Sequence, residues 1–95
     1  MSAPAERAQT VRAAIREVLE GRTLDAREIS ALVSVSEREV VEHLSHLMQG
    51  RPPVRMTPPR CRQCGFSFDK RARSARPSRC PQCRSERIEA PRFSL

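Results

Sequence analysis

The sequence predicts an α+β protein: a three-helix unit over residues 1–50, then a small β unit over residues 51–95 organised by a metal. Three observations predict it. Apolar residues recur at helical spacing only before Gly50. Pro52, Pro53, Pro58 and Pro59 then stop any helix. The four cysteines all follow, as two C-x2-C pairs.

The first helix is read over residues 4–20. Ala8, Val11, Ile15, Val18 and Leu19 share one face. Pro4 suits a first turn and Gly21 a stop. A second start follows at Asp25, an N-cap with Glu28 at capping-box spacing. Leu24 and Ile29 flank it as a hydrophobic staple, and this short helix ends near Val33. The third start repeats the pattern. Ser36 caps, Glu39 sits at N3, and Val35 and Val40 form the staple. Val40, Val41, Leu44, Leu47 and Met48 make the apolar face, and Gly50 ends it. The last two helices are separated by a turn at Ser34-Val35, the spacing of a helix-turn-helix pair, with the first helix as a third wall.

Beyond the prolines, Val54-Arg55-Met56 suits one short strand. Phe66 and Phe68 alternate around Ser67, and Glu86 to Leu95 offers Ile88 and Phe93. The cysteines read C-x2-C-x15-C-x2-C: Cys61, Cys64, Cys80 and Cys83. Two residues between thiolates allow a tight knuckle, and two knuckles complete a tetrahedron with Zn–S distances of about 2.3 Å. One structural Zn2+ is the leading reading; two disulfides or an iron centre are the alternatives. Four thiolates leave no vacancy for catalysis. Three aromatic residues, all Phe, are a thin supply for a core in 95 residues, and a structural metal makes up the shortfall.

Charge divides the chain. Residues 1–50 hold six Arg against seven Glu and one Asp, a net of −2. Residues 51–95 hold eleven Arg and one Lys against two Glu and one Asp, a net of +9. A basic surface attracts polyanions. A codon bias toward Arg is the plain alternative, but it leaves the acidic first half unexplained. The run KRARSARPSR carries Lys70, Arg71, Arg73, Arg76 and Arg79 with no acid and no aromatic. It suits phosphate contact rather than base stacking. No carboxylate pair, nucleophile–base set or phosphate-cradling Gly loop appears, so an enzyme is not expected. No apolar run approaches a membrane span, and the first twenty residues show no secretory signal. A cytoplasmic, nucleoid-associated location is expected, where thiols stay reduced.

The run Arg27 to Leu44 resembles the helix-turn-helix pattern of bacterial and archaeal regulators. Glu28, Ile29, Val35, Ser36, Val40, His43 and Leu44 match it. Ser30 stands where Ala usually packs, and Ser34 where Gly usually takes a left-handed turn. Glu39 and Glu42 stand where Thr and Arg commonly face nucleic acid. The whole chain is similar to small prokaryotic predicted transcriptional regulators that fuse a helix-turn-helix domain to a zinc ribbon. The shared stretches are Cys61 to Phe68, Pro77 to Cys83, and Pro91-Arg92-Phe93. The resemblance implies a (winged-)helix-turn-helix unit whose wing position holds the ribbon.

The function expected is therefore a DNA-binding transcriptional regulator. With Glu37, Glu39 and Glu42 against Arg38 alone, the third helix is a poor phosphate partner. The expected nucleic-acid contacts are Arg38, His43, Arg55, Arg60, Arg62, Lys70, Arg71, Arg73, Arg76, Arg79, Arg84 and Arg87. His43 and His46 also read as ordinary helix-surface residues. The alternative is an adaptor whose ribbon binds RNA or a protein partner. A thiol redox or zinc sensor is a third reading.

Overall fold

The computed structural model describes residues 4–68 and 77–95. Helix α1 spans Pro4–Leu19, α2 Ala26–Val33 and α3 Glu37–Leu47. Strands β1 (Leu24–Asp25), β2 (Arg55–Thr57) and β3 (Arg92–Ser94) form one antiparallel sheet of order β1-β3-β2.

The helix ends follow from local chemistry. Asp25 accepts the Glu28 N–H at 2.8 Å, and the Glu28 carboxylate accepts the Asp25 N–H at 3.1 Å. That reciprocal box satisfies two donors the helix itself leaves open. At α3 only half of the box forms. Ser36 Oγ accepts the Glu39 N–H at 3.1 Å, but the Glu39 carboxylate turns to α1 instead. Between the helices Ser34 takes the left-handed conformation, φ 59° and ψ 39°. Ser30, where a small apolar residue is usual, donates its hydroxyl to the Val35 carbonyl and ties this turn to α2.

The inner faces of α1, α2 and α3 meet in one core. Ile15, Leu19, Ile29, Val40 and Leu44 are fully buried there. Val54 and Phe93 join the same cluster from beyond residue 50. Cross-strand pairing explains how. Leu24, Phe93 and Met56 stand opposite one another and face the helices. Asp25, Arg92 and Thr57 form the neighbouring row on the other face. Burying Phe93 fully contributes on the order of 2–3 kcal/mol to this core. The segment from Glu86 to Leu95 is thus divided: Ile88 packs with the cysteines, whereas Phe93 packs with the helices. The cysteine-bearing unit is inserted between β2 and β3. Among the described residues no helix is long and apolar enough to cross a membrane.

Candidate metal centre and basic surface

Two matching knuckles carry the cysteines. In the first, Gly65 N–H bonds the Cys61 carbonyl at 3.0 Å and Cys61 N–H bonds the Phe66 carbonyl at 2.8 Å. In the second, Arg84 N–H bonds the Cys80 carbonyl and Cys80 N–H the Ser85 carbonyl, both at 2.9 Å. Each turn needs a left-handed residue after its second cysteine. Gly65 supplies it at φ 79°, and Arg84 supplies it at φ 60° with a side chain attached. Only the first of these conformations is free of steric cost.

The turns aim four sulfurs at one point. All Sγ atoms lie within 4.8 Å of one another. Cys61 and Cys83 approach to 3.5 Å, as do Cys64 and Cys80. A tetrahedral Zn2+ with bonds of about 2.3 Å sets its sulfurs about 3.8 Å apart, so the donors fit. Cys61 and Cys80 are buried; Cys64 and Cys83 face outward. Beneath the cluster lie Phe68 and Ile88, with Phe66 edge-on to Phe68 at 5.0 Å. Bridges Arg60↔Ser67 and Cys61↔Ile88 bind the knuckles to their flanks. A site for one structural Zn2+ is the result.

Each close pair joins one acidified and one basified thiol. Cys61 is lowered to about 6, first by the Cys64 N–H and then, against desolvation, by the Gln63 N–H and neighbouring thiols. Desolvation opposes the lowering of Cys80, but the N–H groups of Cys83 and Gln82 outweigh it. Cys64 is pushed up to about 12; the Phe66 N–H resists, but desolvation and the thiols of Cys80, Cys83 and Cys61 prevail. Cys83 rises in the same way: the Ser85 N–H opposes the rise, and desolvation with the thiols of Cys61 and Cys80 drives it. Without metal, Cys64 and Cys83 therefore keep their protons at neutral pH, and Cys61 is a thiolate above about 6.

The basic residues divide by place. Arg55 on β2, Arg60, Arg62, Arg84 and Arg87 on the inserted unit, and Arg38 on α3 are all exposed. Arg79 is exposed and lies 3.8 Å from Glu86. Lys70, Arg71, Arg73 and Arg76 fall outside the described residues. His43 is a correction. It is 8% exposed, and its Nδ1 accepts from Arg12 Nε at 3.1 Å. Its Nε2 lies 3.7 Å from Glu39 Oε2. The ring is held between α1 and α3 and offers nothing to a groove. The sequence does carry the signal: Val40, His43, Leu44 and Leu47 keep the i, i+3, i+4, i+7 spacing of one inner face. Glu39 is also withdrawn, 3.0 Å from Arg7. That leaves Glu37 and Glu42 as the exposed acids of α3.

Two basic residues escape a reading by charge runs. Arg27, in the first turn of α2, and Arg92, on β3, line a cleft of about 1150 Å³ between the helical unit and the cysteine-bearing one. They lie 65 positions apart in the chain, so only the fold brings them together.

A family model, the PF0610 rubredoxin-like zinc beta-ribbon domain, matches residues 58–95. No curated protein matches the chain. The solution NMR structure of protein PF0610 from Pyrococcus furiosus superposes with a TM-score of 0.72 at 32% identity. The match takes in 100% of this chain and 92% of that one. The inserted unit with its two cysteine knuckles is accordingly a zinc ribbon, and the chain belongs to the family of PF0610.

Proposed function

We propose that this chain is a DNA-binding transcriptional regulator, a winged helix-turn-helix unit whose wing is the zinc ribbon. The observation that carries the reading is where the ribbon sits. It connects β2 to β3 in a sheet of order β1-β3-β2 that backs three helices. In such an arrangement α2 and α3 are the helix-turn-helix pair, and α3 is offered to a groove. The charge balance supports the same reading, since the net +9 belongs to residues 51–95. Pairing of Glu39 with Arg7 removes one carboxylate from the outer face of α3. The ribbon supplies most of the affinity through phosphate contacts, and α3 supplies register. Zinc acts by holding the ribbon in shape.

Crosslinking of a tagged copy in cells, read for both DNA and RNA, tests the reading. Recovery of discrete genomic DNA sites supports it. Recovery of RNA or protein alone overturns it in favour of an adaptor.

A further inference from the structure

We infer that the cleft between the helical unit and the ribbon seats the sugar–phosphate backbone of one strand of duplex DNA. This inference rests on the DNA-binding reading above. In a duplex, neighbouring grooves are separated by a ridge of phosphates. If α3 enters one groove and the ribbon reaches the next, that ridge must run between them. The space between them is this cleft of about 1150 Å³.

Its lining suits the ridge. Arg27 stands on the helical wall, Arg92 on β3, and Arg62 and Arg87 on the ribbon wall. None of the four guanidinium groups has an ion pair with a described residue. Four acids share the lining, but two are engaged. Asp25 caps α2, and Glu86 lies beside Arg79. Glu37 and Glu89 have no ion pair among the described residues. The arginines therefore attract a phosphate strand from both sides, and the two free glutamates weaken its hold. Arg27 and Arg92 become nucleic-acid contacts, and Glu37 and Glu89 become its opponents.

The test uses the full zinc-loaded chain and a fluorescent duplex of arbitrary sequence, titrated at several salt concentrations. Each paired substitution, Arg27→Ala with Arg92→Ala or Arg62→Ala with Arg87→Ala, should flatten the log–log salt slope by roughly 1.8, about 0.9 per phosphate no longer neutralised. Affinity should fall by on the order of tenfold or more near 0.1 M salt. Glu37→Gln with Glu89→Gln should tighten binding several-fold, a gain that damage to the fold does not produce. If the parent chain binds the duplex while both arginine pairs leave affinity and slope unchanged, the cleft assignment is wrong and the DNA reading stands. The same holds if the glutamine pair fails to tighten binding. If the parent chain does not bind duplex at all, both fall together.

Discussion

Arg12 donates its Nε hydrogen to His43 Nδ1 at 3.1 Å, so a cation on α1 is held by a buried imidazole on α3. With Nδ1 accepting, the other ring nitrogen, Nε2, is the one that faces Glu39, 3.7 Å from Oε2. Arg7 closes the set from the other side at 3.0 Å. Glu39 Oε2 is buried and has no hydrogen-bond partner of good geometry. Its charge is offset by Arg7, 3.0 Å away. The clamp joins the first helix to the third without help from the ribbon.

Removing the ring should be costly to folding and silent in nucleic-acid binding. His43→Ala leaves Glu39 and Arg12 without their buried partner and opens a gap beside Leu44 and Leu47. A loss of about 2–3 kcal/mol in urea unfolding is expected. The salt dependence of DNA binding, measured below the unfolding transition, should not move. A flattened salt slope would show that the ring reaches phosphate after all.

The two knuckles predict opposite results for one kind of exchange. Arg84 sits at φ 60° and Gly65 at φ 79°. A Cβ built at Gly65 meets nothing within 4 Å, so Gly65→Ala is strained by backbone conformation alone. It should destabilise the zinc-loaded protein by about 1–2 kcal/mol. Arg84→Gly removes that same strain and should raise stability by up to about 1 kcal/mol, since glycine also loosens the unfolded chain. Thermal unfolding of the zinc-loaded forms checks both signs. Arg84→Gly also removes a positive charge, so its stability is best compared at high salt.

Much of this architecture is legible residue by residue. Asp25, Ser36 and Ser34 announce the ends of helices and the turn between them, because caps and left-handed positions are short-range chemistry. The C-x2-C pairs announce the metal for the same reason. Strand β1 is not legible. Two residues, Leu24 and Asp25, carry no alternation; Asp25 is extended already as the cap of α2, and it is pairing with Phe93 and Arg92 that makes the two a strand. The same distance in sequence hides the destination of Phe93 and the cleft that Arg27 and Arg92 both line. Glu39 misleads in a subtler way. At N3 it has a local partner in the Ser36 N–H, but Arg7 offers opposite charge and His43 a half-buried seat, and they win.

Metal removal should separate the two cores. Phe68 and Ile88 pack on Cys61 and Cys80, whereas no cysteine belongs to the helical cluster. Structural zinc contributes on the order of 10–16 kcal/mol in small metal-dependent folds. Chelation should therefore collapse the ribbon and keep most of the helical circular dichroism. Amide exchange read by mass spectrometry should show residues 58–68 and 77–91 losing protection first. Loss of helix in step with zinc would mean that closure of β2 onto β3 depends on the ribbon.

Zinc affinity should follow pH with a definite slope. Cys64 is pushed up to about 12 and Cys83 is also raised, so both thiols hold protons at neutral pH. Zinc must displace at least those two protons, so affinity should rise at least about a hundredfold per pH unit between about 7 and 8. Cys61 is depressed to about 6, so its thiolate is present above that value and disappears as pH falls through it. Below about pH 6 a further proton competes and the slope should steepen. Competition with a chromophoric chelator, corrected for the chelator's own protonation, measures this. A slope near four protons at pH 7.5 would mean that Cys61 does not ionise before the metal arrives.

The basic arm gives the last prediction. Arg71, Arg73 and Arg76 lie in a run with no acid between Lys70 and Arg79, tethered at both ends by zinc ligands. If the arm follows phosphates, replacing these three with Ala should weaken binding to every duplex sequence alike. The salt slope should flatten by about 0.9 for each phosphate no longer neutralised, roughly 2.7 for all three. Sequence preference should survive, because phosphate contacts set affinity and carry no base information. Zinc content should not change, since the substitutions remove no cysteine. The opposite pattern, unchanged affinity with altered sequence preference, would move base reading from α3 to the arm.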